Sequence, residues 1–130
     1  LLSSLNIKNG QDVVKALGDE TLQSLGVRYD LSNPNAWYVS FGKLFGGLII
    51  QGGYYGETDG TSNPWSFPIA FKNKPFYVNG SADLSSKTAY DFDRPAWAMA
   101  INNTQFLCSI NYDKTGTSGI RQVRVLSIGI

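Results

Sequence analysis

From Trp37 onward the apolar and polar positions read almost throughout as strand and turn. Ala96–Ile101 alternates small and large side chains throughout. In Gln105–Tyr112, the residues Phe106, Cys108, Ile110 and Tyr112 fall on one face, and Gln105, Ser109 and Asn111 on the other. Asn102-Asn103-Thr104 between these two segments reads as a short hairpin loop. Further strands are expected at Trp37–Phe41, Leu48–Tyr55, Trp65–Phe71, Phe76–Asn79 and Gln122–Ile128. Two strands stand apart from the one-faced pattern of Gln105–Tyr112. Leu48-Ile49-Ile50 and Val125-Leu126-Ser127-Ile128 are apolar on both faces and therefore need cover on both sides. A second sheet or a neighbouring chain supplies such cover, whereas a lone small sheet does not. Pro68 removes a backbone donor from Trp65–Phe71, which puts that strand at an edge or on a bulge.

Before Trp37 the period changes, and Tyr29 is the only aromatic residue. Gln11–Leu17 and Glu20–Leu25 read as two short helices. Asn9-Gly10 caps the first and Gly18 stops it; Asp19 caps the second and Gly26 ends it. Each is shorter than the about 12–15 residues an isolated helix needs in water, so something else must cover their apolar faces. Ser32-Asn33-Pro34-Asn35 reads as a loop and a boundary. The expected organisation is a helical stem over 1–34 and a β-rich domain over 35–130.

Composition narrows the chemistry. The 130 residues fit one modest domain with an appendage, and the chain opens on Leu1 rather than Met, as a piece of a longer chain would. A net charge of +1 gives no electrostatic case for nucleic acid or an anionic membrane. There is no histidine, which removes His-containing catalytic triads, His general bases and the usual zinc sites. The single cysteine, Cys108, excludes an intrachain disulfide; on the apolar face of its strand it reads as a small core residue. No apolar run reaches the roughly 18 residues that span a bilayer, so membrane insertion is not expected. With 7 Tyr, 7 Phe, 3 Trp and 14 Gly against 16% charged residues, the chain describes an aromatic β domain without an ionisable centre, and no cofactor is expected.

The string Gly47-Leu48-Ile49-Ile50-Gln51-Gly52-Gly53, followed by Phe67-Pro68-Ile69-Ala70-Phe71, resembles the C-terminal tail-fibre domain of tailed bacteriophages and their prophage relatives. The closing strand Val123–Gly129 and the texture of residues 16–26 are similar to the same family. The resemblance covers Trp37–Ile130. It implies a mostly β, antiparallel, β-sandwich-like tip with a short helical N-terminal stem, assembled as an intertwined or side-by-side homotrimer. Such a tip sits on the virion and adsorbs it to a bacterial cell-surface receptor, either a glycan (lipopolysaccharide or capsule) or an outer-membrane protein. Some long-fibre tips hold iron through H-x-H motifs, and a chain without histidine lacks that device.

Candidate contact residues lie in two polar, aromatic stretches. In 54–65, Tyr54, Tyr55 and Trp65 offer rigid aromatic area, with Glu57 and Asp59 as adaptable polar groups. In 81–95, a long connection without periodicity, Tyr90, Phe92 and Arg94 are the anchors. Asp113–Gly119 carries no aromatic anchor and reads as a turn. Glu57, Asp59, Asp83, Asp91 and Asp93 would be the carboxylates of a glycosidase, but in such loops carboxylates form turns. Neither a catalytic residue nor a metal site is expected. A polysaccharide-degrading tailspike fragment and a purely structural trimerisation cap are the alternatives to an adhesin.

Overall fold

A computed structural model of the chain describes residues 8–56, 64–84, 96–110 and 121–130. It opens with one helix, α1 (Gly10–Ser24), where two short ones were expected. Asn9 caps it by accepting the Asp12 N–H at 3.0 Å, while the Asp12 carboxylate accepts the Lys8 N–H at 2.9 Å. At the other end Gly26 takes φ +77°, its N–H donates to the Gln23 carbonyl, and the Val27 N–H donates to the Leu22 carbonyl. This pair of bonds closes the last turn and satisfies carbonyls that would otherwise lack partners. The helix runs through Gly18-Asp19 because an interior glycine costs only about 1 kcal/mol. Two separate helices would each need nucleating, and each would leave its own unpaired end groups.

The rest is β. Strands β1 (Arg28–Asp30), β2 (Trp37–Ser40), β3 (Ile49–Gly56), β5 (Tyr77–Leu84) and β8 (Arg121–Gly129) form a five-stranded antiparallel sheet in the order β1-β2-β3-β8-β5. Strands β4 (Trp65–Ser66), β6 (Ala96–Ala100) and β7 (Gln105–Ile110) form a three-stranded sheet in the order β4-β7-β6. Strand β1 was not anticipated. It is exposed throughout and owes its conformation to pairing with β2. That ladder crosses the expected boundary at 34/35: Ser32–Asn35 is the turn between β1 and β2. Asp30 accepts the Ser32 hydroxyl and N–H there, and these bonds hold its carboxyl below the ordinary carboxylate range.

The expected strand Trp65–Phe71 is also shorter, ending at Ser66. Beyond it, the Phe67 and Phe71 N–H groups donate to the Thr104 and Asn103 carbonyls of the β6–β7 hairpin. That hairpin forms where expected. The Asn102 side-chain oxygen accepts the N–H groups of Thr104 and Gln105, both at 2.8 Å. Tyr112 lies outside the described residues.

The core lies between the two sheets. The inner face of the larger sheet supplies Ile49, Tyr55, Val123 and Val125, and the smaller sheet supplies Ala100, Phe106, Cys108 and Ile110. Phe67 and Phe71 fill the end of this layer nearer Gly129; the Phe71 ring stands where a Cβ on Gly129 would be. The period-two face read from β7 is the buried one. The outer face of the larger sheet is different. Register aligns Tyr29, Val39, Ile50, Ile128 and Tyr77 in a row across all five strands. Val39, Ile50 and Ile128 are half-buried, and Tyr29, Tyr77 and Leu126 are exposed. Ile50 and Ile128 are thus apolar residues on the face that the second sheet does not cover.

Helix and sheet meet through the backbone. The Lys43 N–H donates to the Leu25 carbonyl at 2.7 Å, and a Cβ on Gly42 (φ +60°) would stand 2.1 Å from that same oxygen. A glycine is therefore required for helix and turn to touch. Replacing Gly42 with Ala is expected to destabilise the fold by at least about 2 kcal/mol, from left-handed strain and backbone overlap. At Gly18 a Cβ meets nothing within 4 Å, and Gly18→Ala is expected to stabilise by about 0.5–1 kcal/mol. Urea unfolding of the two variants followed by circular dichroism checks the contrast.

Candidate functional site

Strand register gives the domain two unlike ends. At one end Ile49 pairs with Gly129 and Tyr77 with Ile128, close to the Gly42 joint with α1. At the other end Gly56 pairs with Gln122 and Leu84 with Arg121. Segments 57–63, 85–95 and 111–120 all join the larger sheet at this second end, remote from the helix.

The expected contact residues divide accordingly. Glu57, Asp59, Tyr90, Phe92 and Arg94 lie outside the described residues, in segments that attach at this end. Tyr54, near the end of β3, is half-buried on the outer face. Arg124, directly opposite on β8, holds its guanidinium 5.3 Å from the Tyr54 ring centroid, within the range of a cation–π contact. Arg124 was not among the expected residues. Its pairing with Tyr54 depends on a register between strands about seventy residues apart in the chain.

Tyr55 requires a correction. It points inward, is 6% exposed, and packs its ring on Phe106 at 4.7 Å and on Trp65 at 5.3 Å between centroids. Consecutive residues of a strand face opposite ways, so only one of Tyr54 and Tyr55 can meet solvent. Burial, helped by nearby Cys108, pushes the Tyr55 hydroxyl up to about 12, and burial pushes the Cys108 thiol up to about 11. A thiol so held is a packing group rather than a nucleophile. Trp65 is half-buried beside Tyr55, and its indole N–H is buried without an acceptor among the described residues.

One buried polar residue escaped the sequence analysis as a structural element. Gln51 is fully buried on the inner face of β3. Its amide nitrogen donates to the Ile69 carbonyl and its oxygen accepts the Ile69 N–H, both at 2.8 Å. Its main-chain oxygen accepts the Ser127 hydroxyl at 3.1 Å. The side chain thereby pairs with segment 67–71 as a neighbouring strand would. The signal was present as the only polar side chain in Leu48–Gln51, but not its partner.

Residues 43–130 match the family described as gp53-like tail fiber protein, C-terminal. The chain belongs to this family of tail-fibre C-terminal domains. Both strings that carried the resemblance, 47–53 and 67–71, fall in the matched region, and the Gln51–Ile69 bonds join them. The fold is similar to two solved structures. One is the Pseudomonas aeruginosa R1 pyocin fiber comprising C-terminal residues 323–701, with 20% identity, a TM-score of 0.53, and coverage of 97% of this chain and 33% of that one. The other is an N-truncated R1-type pyocin tail fiber, with 18% identity, a TM-score of 0.52, and coverage of 86% and 95%. The chain thus spans about a third of the length of the first. None of the curated proteins matches it. This tail-fibre domain is a mostly β assembly of antiparallel sheets, as expected.

Two outcomes follow from the buried groups. Gln51→Leu leaves the Ile69 N–H and carbonyl without partners and is expected to cost about 2–4 kcal/mol in urea unfolding, with the helical signal of α1 spared near the native baseline. Tyr55 has a folded-state pKa above its unfolded value of about 10, so its contribution is complete below pH 10 and is lost as pH rises towards 12. Stability is expected to fall in that window, and Tyr55→Phe to flatten its pH dependence; thermal melts from pH 8 to 12 measure this.

Proposed function

We propose that this tail-fibre domain is the receptor-binding tip of a phage fibre, working as a homotrimer that attaches the virion to a bacterial surface glycan or outer-membrane protein. The observation that carries this reading is the polarity of the domain. The helix joins at one end, and the three connections 57–63, 85–95 and 111–120 meet the larger sheet at the other. A fibre entering through the helix would present those connections first to the cell. Segments joined to a rigid sheet can change in sequence without loss of the scaffold, which suits a surface that determines host range. Around that end stand Tyr54 with Arg124, and half-buried Trp65. Glu57, Asp59, Tyr90, Phe92 and Arg94 complete the proposed contact set; Tyr55 is left out of it because it serves the core.

The residues suit either receptor. An aromatic face stacks on the apolar face of a pyranose ring while Arg and Asp bond its hydroxyls, and Tyr and Arg are the common anchors of protein interfaces. Three copies acting together turn modest contacts into firm attachment through effective concentration.

Alanine at Tyr54, Arg124, Tyr90, Phe92 or Arg94 is expected to cost about 1–2 kcal/mol per site, or about 5–30-fold in single-site affinity. Adsorption of the soluble domain to host cells would drop further, because several sites engage at once. The measurement is cell adsorption of variants that melt normally. Normal adsorption by all five would overturn the assignment of the contact surface to this end.

A further inference from the structure

We draw no further inference here: the strongest candidate, the outer face of the five-stranded sheet around Ile50, Leu126 and Ile128, is apolar on the side away from the second sheet, but nothing in the structure shows what covers it.

Discussion

Gln51 sits fully buried on β3, and a buried carboxamide must find partners for both its ends. It finds them in the N–H and carbonyl of Ile69, and by doing so replaces a strand that cannot form. Pro68 has no N–H to donate, so segment 67–71 cannot extend β4 as a regular ladder. With Gln51 on one side and the Asn103 and Thr104 carbonyls on the other, the segment is held without one. Phe67 and Phe71 are thereby kept in the core, ring to ring at 5.0 Å, with Phe67 stacked on Phe106 at 4.9 Å. The two sheets share a packed interior largely because this short non-strand segment is fixed between them.

The same arrangement explains the contrast between the ends of the domain. The helix end is tied by backbone contacts: Gly42 against Leu25 and Gly26, and the Lys72 and Asn73 N–H groups on the Ile130 carbonyl. Such contacts admit few substitutions, because a side chain added at Gly42 would overlap main-chain atoms. At the opposite end Gly56, Leu84 and Arg121 lead to segments 57–63, 85–95 and 111–120. The Gln51 pair, the hairpin at 102–104 and the helix joint involve none of these segments.

Much of this was legible in the residues. Runs of strand-forming residues bounded by turn signals marked β2, β3, β6, β7 and β8, and the buried face of β7 followed from Phe106, Cys108 and Ile110 alone, because a period of two assigns every second residue to one side. The hairpin at 102–104 followed from turn chemistry local to a few residues. The strings at 47–53 and 67–71 identified the family, although nothing in them revealed that Gln51 of one bonds Ile69 of the other.

What the sequence determined by itself was local: period, turn chemistry, and the absence of histidine and of a second cysteine. What the tertiary structure decided was every choice between two locally equal options. Tyr54 and Tyr55 must face opposite ways, but only the packing of Phe106 and Trp65 selects Tyr55 for the interior. Gly18 can stop a helix or be passed through, and the balance lies in end groups and nucleation rather than in the glycine. Strand β1 has no apolar pattern and exists because β2 offers it a ladder. Ile50 and Ile128 were plainly apolar, yet their facing away from the second sheet depended on which side that sheet came to cover. Each of these turns on contacts between residues distant in the chain, whose free energy no short window of sequence contains.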